Sequence, residues 1–407
     1  MKGDSLGQLI LTGVPGKELD AKNAELFRRV QPGGFILFGR NIESATQLRK
    51  LIDDLRDLSK VEPIITIDQE GGRVSRLRLI GNEPPNAQQF RDRDDVDLIR
   101  LHGDITGRLL RVFGFNLDLC PVLDISFDDD ADNSLRGRCY GKTVEQVVRN
   151  AGAFNDAMRK QGIASCGKHF PGYSAAKSDA HYELPKIERA REELDREELA
   201  VFREFVGRGG SPRRGAGPSG PEANRLGSVH DHARVKAIEV NRPYLSDARV
   251  DSMMICHGWY PCFEPKKIPA TLSRRVVTQL LREEMGFEGL IMTDDLDMGA
   301  ILNDYGLEET IRLAIAAGND LAMICHRIPE IENVHRTLGT LPRDEIERAL
   351  ASVARFKKKL APPDEFSEAA FRAIDHEIWD LRVAVLGKER AAIRTPEDGK
   401  RSPVETY

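Results

Sequence analysis

The stretch "GLIMTDD", Gly289–Asp295, runs apolar from Leu290 to Met292 without alternation and stops abruptly at Thr293 and two acids. A strand that presents apolar side chains to both faces belongs inside a parallel sheet covered on both sides. An acid placed where such a run stops lies at the strand's C-terminal end, where α/β folds collect their chemistry.

The same signature recurs along the chain. Further runs are "QLILT" from Gln8, "GGFILFG" from Gly33, "PIITIDQ" from Pro63, "LDLCPVLDIS" from Leu117, "IASCGKHF" from Ile163, "DSMMICHG" from Asp251 and "DLAMIC" from Asp320, eight in all with the first. Between them lie amphipathic helical patterns. Ser44 with Gln47 forms a capping box ahead of Leu48, Leu51, Ile52, Leu55 and Leu58. Thr143 and Gln146 open a helix carrying Val147, Ala151, Phe154 and Met158, and Ser273 opens one with Val276, Val277, Leu280 and Leu281 that ends near Gly286. Eight strands with helical connections predict an α/β fold of the (β/α)8 TIM-barrel type. A doubly wound open sheet is the rival, weakened because no GxGxxG follows an early strand.

Two segments break the rhythm. Residues 207–232, rich in Gly, Pro, Ser and Arg, predict a flexible insertion between the fifth and sixth strands. Beyond residue 361, one helix, "SEAAFRAIDHEIWDLRVAVL", precedes a polar end. The expected organisation is a barrel domain over 1–361 and a C-terminal helix with a polar tail over 362–407, the helix docking and the tail fraying.

Composition narrows the partners. With 40% hydrophobic and 31% charged residues and a net charge of -5, the chain is neither a polybasic nucleic-acid binder nor a disordered acidic one. No apolar run is long enough to span a bilayer, and the N-terminal apolar stretch is too short and polar for a secretion signal. Six cysteines lack CxxC spacing, as buried thiols in a reducing compartment would. A small polar partner and a cytoplasmic location are the expectations, with no nucleic acid and no membrane involved.

Titratable groups stand at the ends of the apolar runs: Asp68, Asp124, Lys168 and His169, His257 and Asp294. Each has an ordinary reading as well. Asp294 could cap the following helix, Lys168 and His169 could form a core ion pair and hydrogen bond, and His181 could be a plain loop histidine. Asp124 is better read as closing a polar network at the barrel mouth than as catalytic. His257 suits a supporting role as well as ligand contact, and "GGR" at 71–73 reads as a tight turn.

Six segments in order, "GGFILFGRN", "IDQEGGRVSRL", "CPVLDI", "GRCYG", "KHFPGYSAAKSDAH" and "GFEGLIMTDDLDM", make the chain from about residue 5 to about 360 resemble glycoside hydrolase family 3. Within it the resemblance is to the single-domain β-N-acetylglucosaminidase branch that includes bacterial enzymes of cell-wall recycling. The resemblance implies a TIM barrel, no metal and no cofactor. It implies that Asp294 is the nucleophile of a retaining mechanism through a covalent glycosyl-enzyme, and that His181 paired with Asp179 is the acid/base. At i and i+2 of an extended loop the two side chains face the same way, so the carboxylate can orient the imidazole, whose reference pKa of about 6.5 suits proton transfer near neutrality. Asp68, Arg76, Arg138, Lys168 and His169 match sugar-binding positions, and His257 joins them as a candidate. The implied activity is an exo-β-N-acetylhexosaminidase releasing terminal N-acetylglucosamine from peptidoglycan fragments. A β-glucosidase, a glycoside phosphorylase and a non-catalytic sugar- or partner-binding barrel are the alternatives. The family's usual "KHFPGHG" reads "KHFPGYS" here, with Tyr173 and Ser174 replacing His and Gly, which is expected to restrict the hinge of the loop bearing His181.

Overall fold

The unbroken apolar runs are strands buried on both faces. The computed structural model describes residues 3–131, 133–207 and 249–395. Eight parallel strands, Ile10–Gly13, Gly34–Leu37, Ile64–Ile67, Leu117–Asp118, Ala164–Phe170, Ser252–Ile255, Leu290–Asp295 and Leu321–Ile324, close into a barrel in chain order. Closure is made where Ile10 pairs with Ala322 and Leu11 with Gly34. The predicted (β/α)8 barrel is therefore the fold, and the open-sheet rival is excluded.

Boundaries differ at two strands for identifiable reasons. The first begins at Ile10, two residues later than the run from Gln8, because Gly3–Leu9 coils as a 3₁₀ helix. Gly7 passes so close to a neighbouring helix end that a Cβ there would meet the Val30 carbonyl oxygen at 1.8 Å. The fourth strand has a two-residue ladder, after which Pro121, lacking an N–H, interrupts it. Pairing resumes with a single bridge between Val122 and Lys168.

Helix ends follow the capping chemistry. Ser44 Oγ accepts from Gln47 N at 3.2 Å and opens Ala45–Asp57, and Thr143 Oγ1 accepts from Gln146 N at 3.3 Å and opens Val144–Lys160. The segment after Ser273 winds instead as a π-helix over Arg275–Glu284, with the Ser273 hydroxyl diverted to Glu264 Oε2 at 3.1 Å. It still buries Val276, Val277, Leu280 and Leu281, as their spacing requires.

The C-terminal helix, Glu368–Leu386, lies against the long helix Val96–Phe113. Its anchor is the buried Arg382, which donates to the Glu83 carbonyl at 2.9 Å, to Glu83 Oε1 at 3.1 Å and to the Ala391 carbonyl at 2.8 Å. All but the first residue of the expected insertion at 207–232, and the polar end from 396 onward, lie outside the described residues. Among the described residues no helix is long and apolar enough to cross a membrane.

Candidate active site

The third strand hands its chain directly into a hairpin, Gln69–Gly71 with Val74–Ser75, whose turn is the "GGR" segment. Gly71 adopts φ +111°, and a Cβ there would lie 2.2 Å from the Pro85 carbonyl oxygen, so the turn needs glycine. The hairpin presents Asp68 and Glu70, two residues apart, to Lys168 on the fifth strand. Lys168 Nζ lies 2.7 Å from both Asp68 Oδ1 and Glu70 Oε1. Arg138 grips Glu70 with both ends of its fork, at 2.8 and 2.7 Å, and Arg76 Nη2 stands 3.7 Å from Asp68 Oδ2. Burial alone would raise the Glu70 pKa, but Arg138 and Lys168 hold it far below the carboxylate range. Burial likewise disfavours the Lys168 ammonium, yet Asp68 and Glu70 keep it charged. The result is an interlocked set of ion pairs beside the cavity.

His169, next on the strand, donates from Nδ1 to Asp124 Oδ2 at 2.7 Å, which leaves Nε2 as an acceptor 3.5 Å from Arg138 Nη2. Asp124 also accepts the backbone N–H groups of His169 (3.1 Å) and Tyr173 (2.6 Å). It is the network-closing residue that the sequence suggested.

Asp294 is the penultimate residue of the seventh strand and lines the cavity, the one residue of Leu290–Asp295 that is only partly buried. Its Oδ1 accepts the Asp295 N–H at 2.8 Å. Burial opposes ionisation, but His257, His169, that N–H and His181 together pull the Asp294 pKa below its ordinary value. His257 is fully buried, and burial depresses its pKa against the opposing pull of Asp294 and the Asp295 carbonyl. Its Nε2–H donates to the Asp295 carbonyl (2.8 Å), and its Nδ1 lies 2.8 Å from the Thr271 hydroxyl oxygen, whose own proton faces the Cys256 carbonyl at 2.7 Å. Both nitrogens are thereby committed to protein, and they steady the backbone beside Asp294.

Opposite these groups, the loop after the fifth strand carries Asp179 and His181. Asp179 Oδ1 lies 2.5 Å from His181 Nδ1 and 3.0 Å from the His181 backbone nitrogen. A carboxylate can only accept, so Nδ1 bears the proton that faces Asp179. His181, Asp294, His257, Asp68, Arg76, Arg138, Lys168 and His169 all line one cavity, and Asp179 stands behind His181.

Sequence reading missed Glu70, although its i+2 spacing from Asp68 in an extended segment places both acids on one face. It also missed a buried tier beyond Asp294. Asp295 Oδ1 accepts from Asp297 N and Cys325 N, and Asp297 Oδ2 accepts from the His326 and Arg327 N–H groups. Burial pushes both of these carboxyl pKa values up, whereas Asp294 is pulled down.

A carboxylate at a strand end, a carboxylate-backed imidazole lining the same cavity and a polar lattice suited to hydroxyl groups, set at the C-terminal mouth of a barrel, fit a glycosidase-type centre. The family model for the glycosyl hydrolase family 3 N-terminal domain matches residues 3–211 and 217–356, and the chain belongs to that family and is a glycoside hydrolase. A β-hexosaminidase of Vibrio cholerae serotype O1 (strain M66-2) is 32% identical over 339 residues, 83% of this chain and 88% of that one. One from Pseudomonas aeruginosa (strain LESB58) is 29% identical over 358 residues, 88% and 89% of the two chains. Among solved structures, a family 3 β-N-acetylglucosaminidase from Paenibacillus sp. str. FPU-7 superposes with a TM-score of 0.76 at 29% identity, covering 94% of this chain and 68% of its own.

Proposed function

We propose that the protein is a retaining exo-β-N-acetylhexosaminidase that removes terminal N-acetylglucosamine from cell-wall fragments in the cytoplasm. The observation that carries this reading is that Asp294, whose pKa is pulled below its ordinary value, and an Asp179-backed His181 line one cavity. The β-hexosaminidases and the N-acetylglucosaminidase it resembles supply the sugar class.

In the first half-reaction Asp294 attacks the anomeric carbon while His181, entering as the imidazolium, gives its Nε2 proton to the departing oxygen and keeps its Nδ1 proton on Asp179, and the sugar becomes an ester of Asp294. Water then enters, His181 takes its proton, and the ester is cleaved with net retention. Asp68, Arg76, Arg138, Lys168 and His169 hold sugar hydroxyls by charge-assisted hydrogen bonds. His257 supports the Asp294 backbone rather than the sugar. The barrel over 1–361 carries this chemistry, and the helix and tail over 362–407 are an appended element.

The test is hydrolysis of an aryl N-acetyl-β-glucosaminide beside the matching aryl β-glucoside, with Asp294→Asn as the blank. Selective turnover of the N-acetyl sugar, with retained anomeric configuration by NMR and a loss in the blank on the order of 10⁴-fold, is expected. Turnover by the blank at the wild-type rate would remove Asp294 from the mechanism. A stimulation by inorganic phosphate would move the reaction from hydrolysis to phosphorolysis.

A further inference from the structure

The two residues that depart from the family's usual "KHFPGHG" are both tied into the acid/base loop. Tyr173 is buried, and its hydroxyl lies 2.9 Å from the Ser178 carbonyl oxygen and 2.9 Å from the Ala180 nitrogen. The carbonyl can only accept and the N–H only donate, so the phenol uses its proton on one and its lone pair on the other. Those two backbone groups flank Asp179, the residue that orients His181. The other end of Tyr173 is equally fixed, since its N–H donates to Asp124, the carboxylate that also holds His169. Ser174 Oγ accepts the Ile125 N–H at 2.9 Å and anchors the loop's start to the segment that bears Asp124. A histidine at 173 has a shorter side chain and a glycine at 174 has none, so neither usual residue makes this set of bonds.

We propose that Tyr173 is a positioning residue for proton transfer: its hydroxyl staples the backbone on both sides of Asp179 and so holds the Asp179–His181 pair in its working geometry. This rests on the reading of His181 as the acid/base. Burial keeps the phenol protonated across the working pH range, so the staple does not titrate away. The notion that Tyr173 and Ser174 merely stiffen a hinge is thereby given a specific structural form. The loop is set in place before the substrate arrives, which removes ordering from the reaction itself.

The experiment compares wild type, Tyr173→Phe and His181→Ala on two N-acetyl-β-glucosaminides, one with an alkyl leaving group and one with dinitrophenol. Tyr173→Phe removes one oxygen and keeps the ring. It is expected to lower kcat/KM about tenfold to a hundredfold on the alkyl substrate and by less than about threefold on the activated one, which needs little acid help. Amide hydrogen exchange at Ala180 should quicken in the same variant. Equal losses on both substrates, or none on either, would overturn the staple when His181→Ala still discriminates between them. Equal losses in His181→Ala would overturn the acid assignment itself. Should Tyr173→Phe fail to fold, exchange in the wild type decides: an Ala180 amide that exchanges as fast as in an unstructured peptide excludes the staple.

Discussion

Asp179 Oδ1 sits 2.5 Å from His181 Nδ1 and also accepts the His181 backbone N–H, so one carboxylate fixes both the ring and the chain that bears it. The proton on Nδ1 is thereby held toward the carboxylate. Asp179→Asn offers an amide that can donate to Nδ1 and stabilise the wrong tautomer. The expected loss in kcat is about a hundredfold or more on alkyl glycosides, with Tm nearly unchanged. A variant that turns over these substrates at the wild-type rate would free the histidine from its carboxylate.

Glu70 is the hub of the ionic lattice. Replacing it with glutamine strips Arg138 of its bidentate partner and Lys168 of one of its two carboxylates. Uncovering buried cations in this way costs about 3–5 kcal/mol. Glu70→Gln is therefore expected to lower Tm markedly in a thermal melt, and to raise KM through a displaced Arg138. A melt superimposable on wild type would show that the lattice relaxes without penalty.

Glu198 carries a pH dependence that does not involve the active centre. It is fully buried at the start of Glu198–Val206, neither carboxyl oxygen has a hydrogen-bond partner among the described residues, and burial, against the pull of Arg189 at 3.8 Å, pushes its pKa up to about 7 from 4.5. Below the unfolded value both states are protonated and nothing is lost. As pH rises through the folded value, the native state must either keep a proton the unfolded chain has released or bury a charge. Stability should fall by roughly 3 kcal/mol between about pH 5 and pH 8, and Glu198→Gln should abolish that slope. Denaturant unfolding of both proteins at the two pH values checks it, and parallel slopes would rule Glu198 out.

Arg382 is expected to decide whether the C-terminal helix stays docked. Its removal leaves the Glu83 and Ala391 carbonyls without their guanidinium, at a cost of about 3 kcal/mol. Arg382→Ala should expose the segment beyond residue 361 to limited proteolysis while turnover of small aryl substrates at 25 °C persists. Loss of turnover in proportion to cleavage would make the helix part of the catalytic unit.

The strands were legible because a barrel buries them on both faces, so Leu290–Met292 or Ile64–Ile67 had no reason to alternate. The ends of those runs were legible for the same reason, since Asp68, Lys168 and Asp294 interrupt apolar stretches that otherwise admit no charge. What distance in sequence separates was not legible. Arg382 meets Glu83 across 299 positions and Arg138 meets Glu70 across 68. No local pattern encodes either pairing. Tyr173 could be seen as a departure, but its hydroxyl's reach to Ser178 and Ala180 depends on how the loop folds back, which spacing does not contain. The π-helix at Arg275–Glu284 shares the apolar stripe of an α-helix, so periodicity could not separate them.

The loop bearing His181 is also fastened on its far side, where Gly299 N donates to the His181 carbonyl and Ala300 N to the Ala180 carbonyl, each at 3.0 Å. A Cβ on Gly299 would meet the His181 and Tyr182 carbonyl oxygens at 2.6 and 2.7 Å. Four residues after the last position of the strand that bears Asp294, a hydrogen atom in place of a side chain is thus the seat on which His181 rests. Acid loop and seat form one transplantable unit: grafting the loop onto another barrel without its glycine would deliver the right residues to the wrong height.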